Sequence, residues 1–567
     1  MSISTSMTES TPTRLTAIAQ LTAAEQPYEL VPGKIWGRDC RVFKHAPPTL
    51  RDLYESTRSD ETYLVYGQER YSFEHAWQRA SQIATVLVND YGIEKGDRVA
   101  ISMRNYPEWT LAFNAITSIG AVAVAMNALW TAEEMRYGLE NSGAKVLFAD
   151  QERVDRMLPM LDEVSVKLLA VRPTQALPAA VANLADLVDQ YPGVDMPAVE
   201  LTMNDPATIL YTSGSTGYPK GAVSCHGNIL TALLSWELEG QIAAVLTGAA
   251  PEEMPYQAAT LLAVPLFHAT GLLAVMLMSY RLQRKMIGLY KWDVEQAMSL
   301  IEAEKISTFV APAAMTGDLV NASKLSVHDL SSLAMVGGGG APRAPEQVKK
   351  ISESFGKALP NTGWGMTETN AIGTSIGGED YLQHPGSSGR CSAALDIRIV
   401  SEAGKVLSNG TPGELQIRGA SIIEGYWQRP EANAETFVDG WLRTGDVAYI
   451  DDEGYVYIVD RIKDLVIRGG ENIGCAEVEA GLLEHPNILE ASVYAVPDER
   501  LGEEVGATLY CDATITAAQV TEFLASRIAR FKIPRYMLFS AEPLPRIASG
   551  KIDKRELRQL AVETLVQ

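Results

Sequence analysis

A chain of 567 residues with 46% hydrophobic and 21% charged residues has the composition of a globular enzyme, not of a disordered or fibrous protein. A chain of this length is too long to fold around one hydrophobic core, so at least two domains are expected. The net charge of -22 argues against a nucleic-acid partner, because phosphate backbones are bound by clustered lysines and arginines. The five cysteines form no CxxC pair, so neither a zinc site nor a disulfide framework is indicated, and a cytoplasmic location is expected.

The first 26 residues are rich in serine and threonine and lack both a basic start and an apolar segment. They are predicted to form a flexible tail and not a signal peptide. Two later apolar stretches, 111–130 and 261–278, are interrupted by polar residues, glycine or proline. A membrane helix needs about 20 predominantly apolar residues, so both stretches are predicted to be buried strands and helices, and no transmembrane segment is expected.

Helices and strands alternate in the first third of the chain. Ser72 is placed to cap an amphipathic helix, and a buried strand is predicted over 98–103. Thr131 and Glu134 form a capping box for a second helix, which is followed by a strand over 145–149. This alternation indicates stacked α/β layers.

The pattern changes near residue 450 to short strands joined by tight turns, with strands predicted over 447–450 and 455–459. A domain boundary is predicted in this region. The following segment has its own core signals, including a capping box of Thr516 and Gln519 that opens an amphipathic helix. A segment of about 100 residues can form an independent domain.

The most informative segment is the stretch 211–221, which reads YTSGSTGYPKG and lies between two strand-like runs. Its glycines let the backbone approach an anion, its four serine and threonine hydroxyls can donate hydrogen bonds, and Lys220 adds a positive charge. Pro219 and the lack of a Gly-Lys-Ser/Thr sequence distinguish it from a Walker A loop, so a P-loop kinase or GTPase is disfavoured. A polar hairpin turn is the alternative, but it leaves the dense serine, threonine and lysine content unexplained. We therefore interpret the segment as a phosphate-binding loop.

Further motifs follow in a fixed order. They read PLFHATG from residue 265, GWGMTET from 363, GEL from 413, WLRTGD from 441, DRIK from 460 and PRIASGKI from 545. Together with the loop they resemble the AMP-forming acyl-CoA synthetase, adenylation-domain and luciferase superfamily, and the likeness extends from about residue 50 to 560.

The resemblance implies an α/β fold with a large N-terminal domain of stacked α/β layers and a small C-terminal α+β domain. The expected divisions are a flexible tail over 1–26, an N-terminal adenylate-forming domain over 27–460, a hinge over 461–463 and a mobile C-terminal domain over 464–567. The implied reaction is ATP-dependent activation of a carboxylic acid to its acyl-adenylate with release of pyrophosphate, followed by transfer of the acyl group to CoA. ATP, Mg²⁺ and CoA are the implied cofactors and co-substrates.

Adenylation brings two anions together, so charge stabilisation and positioning carry the catalysis. The resemblance implies a set of phosphate-binding residues, which are Thr212, Ser213, Gly214, Ser215, Thr216, Gly217 and Lys220. It further implies that Thr367 contacts the α-phosphate and that Glu368 binds Mg²⁺, a hard cation that prefers carboxylate oxygen.

For the nucleoside, the resemblance implies that Asp446 accepts hydrogen bonds from the ribose hydroxyls and that Arg461 contacts ribose and phosphate. A surface ion pair is the alternative for both. The residues implied to flank adenine and the acyl pocket are Gly339, Gly340, Ala341, Pro342, Trp364 and Gly365. The four consecutive glycines from Gly337 are hard to explain by packing, because glycine costs conformational entropy without filling space.

Lys551 is similar to the family's catalytic lysine, which bridges the carboxylate of the acid and the α-phosphate. Lys463 falls at the hinge position, about which the small domain is expected to rotate after the first step. This rotation would withdraw Lys551 and present Gly469, Gly470 and Glu471 to a thiol tunnel.

His268 resembles the histidine of the acyl-pocket motif that adjusts between the two steps, and a buried structural histidine is the alternative. The motif lacks the aspartate that is typical of amino-acid-activating members, so an amino acid is disfavoured. Apolar residues predict a fatty or aryl acid, although they suit a core equally well: Trp236, Leu262, Leu272, Met276 and Trp364.

The leading hypothesis is a free-standing acyl-CoA or aryl-CoA ligase, because neither a carrier domain nor a condensation domain is evident. A ligase that loads a carrier protein is the runner-up. A non-catalytic nucleotide-binding homologue would usually have lost Lys551, Glu368 or Asp446, and all three are present. A kinase would be distinguished by the release of ADP instead of AMP. A homodimer is left open.

Overall fold

The computed structural model describes residues 12–212, 219–248, 255–339, 343, 345–462, 464–469, 471–547 and 551–565. Two large sheets, a smaller third sheet and their helices form the N-terminal part of the chain. A fourth sheet with its own helices forms the C-terminal part. The predicted class, a large domain of α/β layers with a small α+β domain, is confirmed.

Within the described residues, the first sheet has eight strands and a mostly parallel centre. In spatial order they are Gly425–Tyr426, Lys220–Cys225, Pro206–Thr212, Val122–Ala125, Arg98–Ser102, Val146–Asp150, Lys167–Val171 and Val181–Asn183. The strands Pro206–Thr212 and Lys220–Cys225 pair antiparallel, as expected for the two arms of the phosphate loop.

The second sheet has nine strands in the described part of the chain. In spatial order they are Arg390–Cys391, Thr374–Gly377, Leu359–Thr362, Met335–Gly338, Thr308–Val310, Ala259–Leu262, Lys285–Gly288, Thr62–Tyr66 and Glu69–Ser72. The six strands from Leu359–Thr362 to Thr62–Tyr66 are parallel, so their carboxyl ends share one edge. Ligands of open α/β sheets bind at such an edge.

Two helices fill the space between these sheets. They are Phe73–Asn89 and Pro107–Ser118, and they share one hydrophobic core with Tyr63 of the second sheet and Ile101 of the first. Every residue of Pro107–Ser118 except Glu108 is buried. A helix that is covered on all sides belongs inside a layered domain, which explains its apolar composition.

The N-terminal part contains further helices. They are Leu50–Ser56, Ala132–Ser142, Gln151–Met157, Leu184–Val188, His226–Thr247, the π-helix Thr270–Leu277, Met278–Arg281, Val294–Glu304, Ala313–Ser323, Pro345–Phe355, Gly378–Gln383 and Pro430–Thr436, with short 3-10 turns at Leu158–Met160 and Thr367–Thr369. The helix His226–Thr247 is the one described helix that is long and apolar enough to cross a membrane by length and composition, and 56% of that stretch is buried in the protein.

The third sheet joins the two parts of the chain. Its strands are Leu395–Val400, Gly413–Gly419, Trp441–Ile450, Phe437–Val438 and Val456–Arg461, and a separate two-stranded ribbon is formed by Leu30–Ile35 and Arg38–Phe43. The hairpin predicted near residue 450 is confirmed, and Gly454 has the left-handed φ of 84° that its turn requires. This hairpin belongs to the third sheet, so the chain leaves the large part only after Arg461.

The C-terminal part is an α+β unit. Its strands are Glu471–Ile473, Val466–Arg468, Gly502–Cys511, Ile488–Asp498 and Tyr536–Ser540, and its helices are Cys475–Leu483, Ala517–Ala525 and Lys554–Leu565, with a 3-10 turn at Arg530–Lys532. It has a hydrophobic core of its own, centred on Val493 and Leu524. The predicted capping box of Thr516 and Gln519 opens the helix Ala517–Ala525.

The helix signals predicted in the first third of the chain are confirmed. The Ser72 hydroxyl accepts a hydrogen bond from the backbone of His75 at 3.1 Å and caps Phe73–Asn89. Thr131 and Glu134 form a reciprocal capping box on Ala132–Ser142. Local hydrogen bonds of this kind involve residues three apart in sequence, which is why the sequence alone reveals them.

The prediction of a flexible tail through residue 26 is wrong for its second half. A helix spans Arg14–Leu21, where Ala17 is completely buried. The Arg14 guanidinium donates two hydrogen bonds, of 2.8 and 2.7 Å, to the carboxylate of Glu239 on the helix His226–Thr247. This contact joins residues that are far apart in sequence, so composition does not indicate it.

The interpretation of the glycine run as unrelated to packing is also wrong for its first two members. Gly337 and Gly338 end the strand Met335–Gly338, where neighbouring strands approach closely. A Cβ on Gly337 would lie 1.3 Å from the side-chain oxygen of Asn361, and a Cβ on Gly338 would lie 1.8 Å from the carbonyl oxygen of Ala311. Only glycine fits these two positions.

Candidate active site at the domain junction

One large cavity, of about 2480 Å³, opens at the carboxyl edge of the second sheet and continues between the two parts of the chain. The structure brings many of the predicted site residues to its wall, namely Thr212, Lys220, His268, Gly339, Trp364, Gly365, Thr367, Glu368, Asp446, Arg461 and Lys551. Ten of these come from the N-terminal part and Lys551 comes from the C-terminal part. Ten predicted residues lie outside the described part of the chain: Ser213, Gly214, Ser215, Thr216, Gly217, Gly340, Ala341, Pro342, Lys463 and Gly470.

The two arms of the phosphate loop are held at their cavity ends. Thr212 and Lys220 are paired across the antiparallel strands. Behind them, the hydroxyl of Tyr137 donates to the carbonyl of Pro219 at 3.0 Å and accepts from Arg429 at 2.8 Å. These contacts hold the chain where it leaves the loop. The roles of Tyr137 and Arg429 were not predicted, because neither lies near the loop in sequence.

Glu368 lies at the inner wall of the cavity and is only 6% exposed. The Tyr426 hydroxyl donates a hydrogen bond of 2.6 Å to its carboxylate, and the ammonium of Lys220 lies 4.9 Å from the centre of the Tyr426 ring. Burial raises the pKa of Glu368, while the Tyr426 hydrogen bond and the charges of Arg461 and Lys220 oppose this rise. Tyr426 was missed by the sequence analysis, although it is the tyrosine of a conspicuous Gly-Tyr-Trp sequence that begins at Gly425.

The donor set around Glu368 fits Mg²⁺ in a nucleotide complex. No cluster of three histidine, cysteine, aspartate or glutamate side chains occurs among the described residues. Mg²⁺ usually keeps several waters and binds through one or two carboxylates plus substrate phosphates, so a single buried carboxylate is sufficient. A dedicated site with several protein ligands is not what this chemistry requires.

The backbone is strained directly after the turn that carries Thr367 and Glu368. Asn370 and Ala371 follow the 3-10 turn with left-handed φ angles of 56° and 61°. The Asn370 side chain accepts a hydrogen bond from the Ser224 hydroxyl at 3.0 Å and donates one to the carbonyl of Ser421 at 2.8 Å. Non-glycine residues in this region are held there by their surroundings and cluster at functional sites. Asn370 therefore positions the turn, a role that the sequence analysis missed.

Asp446 is 5% exposed and is held by two neighbours. The Trp364 indole donates to one carboxylate oxygen at 2.7 Å, and the Arg461 guanidinium lies 3.3 Å from the other. Asp446 and Arg461 are paired residues on adjacent strands of the third sheet. Burial raises the pKa of Asp446, and the charge of Arg461 and the Trp364 hydrogen bond oppose the rise. The alternative of a surface ion pair does not describe Asp446, which is buried.

Lys551 reaches this cavity from the C-terminal part, although the residue keeps an exposed surface. Desolvation and then the charge of Arg461 lower the pKa of Lys551, and Asp446 opposes this shift. His268 also lines the cavity, and its Nε2 has no hydrogen-bond partner among the described residues. Burial and then the charge of Lys551 lower the pKa of His268 to about 4, so the imidazole is neutral at pH 7.

The predicted thiol-tunnel residues lie elsewhere. Gly469 and Glu471 belong to the hairpin of Val466–Arg468 and Glu471–Ile473, and neither lines the cavity. Gly469 has a left-handed φ of 58°, which its turn requires. The structure therefore has Lys551, and neither Gly469 nor Glu471, at this cavity.

Residues 54–427 match the family described as AMP-binding enzyme, and residues 477–551 match the one described as AMP-binding enzyme C-terminal domain. The chain belongs to the AMP-binding enzyme family. A long-chain-fatty-acid–CoA ligase of Mycobacterium tuberculosis is 33% identical over 488 residues, which cover 85% of this chain and 90% of that protein. A feruloyl-CoA synthase of Amycolatopsis is 33% identical over 501 residues, which cover 88% of this chain and 95% of that protein.

Solved structures give the same assignment to the family. The o-succinylbenzoate CoA synthetase of Bacillus subtilis, in complex with its acyl-adenylate intermediate or with ATP and magnesium ion, has a TM-score of 0.76 and 27% identity. The match covers 90% of this chain and 98% or 99% of those chains. The predicted superfamily and reaction class are confirmed: this AMP-binding enzyme activates a carboxylic acid with ATP and transfers the acyl group to CoA.

Proposed function

We propose that the protein is an acid:CoA ligase for a fatty or aryl acid, in which the residues of the junction cavity have the roles that the resemblance implies. The observation that carries the proposal is that Lys551, from the small C-terminal part, lines the same cavity as Lys220, Glu368 and Asp446 of the large part. Because both parts line the cavity, a movement of the small part can place Lys551 there for the first step and remove it for the second.

In the first step the carboxylate oxygen of the acid forms a bond to the α-phosphorus of ATP, and pyrophosphate leaves. Lys220 and Arg461 supply positive charge on the phosphate side, and Lys551 supplies it where the carboxylate meets the α-phosphate. Because these charges are fixed in a partly desolvated cleft, they stabilise the developing charge more strongly than water does. When bound, Mg²⁺ would neutralise the leaving phosphates, and Glu368 would hold it.

Asp446 is the proposed acceptor for the ribose hydroxyls. Its two oxygens are already oriented by Trp364 and Arg461, at 2.7 and 3.3 Å, so the ribose meets a fixed carboxylate. Each carboxylate oxygen has capacity for a further hydrogen bond. Trp364 thereby links the nucleoside side of the cavity to the acyl side.

His268 is neutral under working conditions, since its pKa is about 4. A neutral imidazole beside Lys551 adds no positive charge that would repel the lysine, and its free Nε2 is a partner for the substrate. We infer that His268 orients the carboxylate in the first step and the acyl carbonyl in the second.

The second step requires a different arrangement of the two parts. We infer that the small part turns about residues 461–463, withdraws Lys551 and brings the hairpin with Gly469 and Glu471 to the cavity. The thiol sulfur then forms a bond to the acyl carbon, and AMP leaves. The placement of this hairpin away from the cavity while Lys551 occupies it supports such an alternation.

The acid lies against an apolar wall in this proposal. Thr270, Ala274, Met278 and Leu282 line the cavity at four-residue intervals on consecutive helical turns. Of the apolar residues named from the sequence, Trp236 and Trp364 also line it. The other three are part of the core instead: Leu262, Leu272 and Met276. Relatives named for a long-chain fatty acid and for ferulic acid support an acid with an apolar chain or ring.

A panel of carboxylic acids with ATP, magnesium and either CoA or a carrier protein tests the proposal. AMP, pyrophosphate and an acyl-CoA of the expected mass should appear with a fatty or aryl acid. Release of ADP, or acylation of a carrier protein with no reaction of CoA, would overturn it. A homodimer remains a prediction, which the sedimentation of the purified protein would test.

A further inference from the structure

Among the described residues, several basic side chains line the cavity without a role in the proposed mechanism. All but Arg284 have a hydrogen-bond or ion-pair partner: Arg14, Arg343, Arg390, Arg546 and Lys554. Arg284 lines the cavity, yet its guanidinium has no hydrogen bond or ion pair with any described residue. Burial alone lowers the pKa of Arg284 to about 10, and no acidic residue opposes the shift. A guanidinium with this pKa is still charged at pH 7, so the charge is present and lacks a partner.

The two carboxylates of the helix His226–Thr247 that line the cavity are not partners of Arg284. Glu237 accepts hydrogen bonds from Arg281 at 2.6 Å and from Tyr28 at 2.8 Å. Glu239 is bound by Arg14 through two hydrogen bonds of 2.8 and 2.7 Å. Both acids line the same cavity as Arg284, and both are already neutralised. Arg284 is only partly exposed, and a charge that is withdrawn from water without a partner is unfavourable, so such a residue is usually retained to bind something.

Arg284 lies at the end of the acyl wall that is remote from the reacting centre. It immediately precedes the strand Lys285–Gly288, so its backbone is about 13 Å from the carboxyl edge where His268 and Trp364 lie. The helical wall agrees with this placement. The Arg284 backbone N–H donates to the carbonyl of Ser279, so Arg284 lies at the C-terminal end of the wall and Thr270 at its N-terminal end.

We propose that Arg284 binds a second carboxylate at the far end of the acid substrate, so that the preferred substrates are acids with an apolar middle and a distal carboxylate. A planar guanidinium binds a carboxylate through two parallel hydrogen bonds, and in a desolvated cavity this pair is strong and directional. The apolar wall from Thr270 to Leu282 contacts the middle of the substrate. This inference rests on the proposed ligase function and specifies its substrate class.

The same charge disfavours a purely apolar acid. A methyl-terminated chain that reached Arg284 would remove the remaining water from the guanidinium without replacing its hydrogen bonds. The distal carboxylate restores them. We therefore expect a preference of about tenfold or more in kcat/KM for the diacid, the range that hydrogen bonds to a charged group give.

The test compares acids of matched length on the full-length enzyme by AMP release with CoA. The pairs are decanoate with decanedioate, hexadecanoate with hexadecanedioate, and cinnamate with 4-carboxycinnamate, together with the monomethyl ester of each diacid. The diacid should be preferred in at least one pair, and its monomethyl ester should fall to the level of the monoacid. A monoester as good as the diacid would overturn the proposal without any variant.

Two variants and a control separate the possible causes. Arg284→Met should lose the preference for the diacid by about tenfold or more while kcat/KM for the monoacid is kept or raised, and Arg284→Lys should be intermediate. Arg70→Met, which removes an exposed arginine that pairs with Glu304, should change neither value. If Arg284→Met retains the diacid preference, or raises the KM for CoA equally with every acid, Arg284 does not bind the acid. A failure of the ligase function itself looks different, because no acid would then yield AMP.

Discussion

Each of the two buried carboxylates, Glu368 and Asp446, accepts a hydrogen bond from one neutral donor, which favours its ionised form. The Tyr426 hydroxyl bonds Glu368, and the Trp364 indole bonds Asp446. Burial raises the pKa of both acids, and each donor opposes that rise because it stabilises the ionised form. A carboxylate that must meet a metal or a ribose has to stay ionised, so these donors matter for binding as much as for packing.

Tyr426→Phe should therefore weaken the response to magnesium. The variant keeps the ring beneath Lys220 and removes only the hydroxyl that lowers the pKa of Glu368. With a higher pKa, less of Glu368 is ionised at a given pH, so the free Mg²⁺ needed for half-maximal adenylation should rise about tenfold, and more at pH 6.5 than at pH 8. Initial rates against free Mg²⁺ measure this. Tyr449→Phe is the matched control, and an unchanged Mg²⁺ response in Tyr426→Phe would exclude Glu368 as the ligand.

Asn370 combines a left-handed backbone with two buried hydrogen bonds, and two substitutions separate these contributions. Asn370→Ala should lower the free energy of unfolding by about 2 to 4 kcal/mol, because the φ of 56° strains alanine and the partners lose their bonds. Asn370→Gly loses only the bonds and should be about 1 kcal/mol more stable than the alanine variant. Denaturant titration measures both, and equal stability of the two would show that backbone strain plays no part.

Among the elements, those whose signals are local were predictable and those fixed by distant contacts were not. Capping boxes, the hairpin around Gly454 and the helix Ala517–Ala525 follow from residues that are close in sequence. The helix Arg14–Leu21 depends on the pairing of Arg14 with Glu239, and the tightness at Gly337 depends on the neighbouring strand at Asn361. The sequence therefore predicted a flexible tail and a glycine run without a packing role, where tertiary contacts produce a helix and a packed strand end.

The ordered N-terminal helix should contribute to stability. Arg14→Ala leaves the largely buried Glu239 without its cation, so we expect a loss of about 3 kcal/mol in the free energy of unfolding. Arg58→Ala breaks a more exposed pair with Glu74 and should cost less than about 1 kcal/mol. Tryptophan fluorescence during urea unfolding compares the two. Similar small losses in both variants would mean that the first helix is not docked in solution.

For the molecule as a whole, the sequence motifs predicted many of the residues that line the cavity, and the fold explains how they come together there. Trp364 and Gly339 follow parallel strands of one sheet, and Asp446 and Arg461 pair across another. Lys551 arrives from a separate unit, so its approach to His268 depends on how the two units are arranged. Spacing in the sequence does not report such an arrangement. Tyr426, Asn370 and Arg284 belong to no predicted motif role, and only the cavity reveals them.

The measurement that tests this arrangement most directly separates the two half-reactions of Lys551→Ala. Exchange of labelled pyrophosphate into ATP should fall by about 100-fold or more, because a fixed charge at the reacting centre is lost. Thioester formation from a supplied acyl-adenylate and CoA should keep the wild-type rate, and Lys532→Ala in the same small unit should leave both steps intact. Equal loss of both half-reactions in Lys551→Ala, on folded protein, would contradict the role of Lys551 at this cavity.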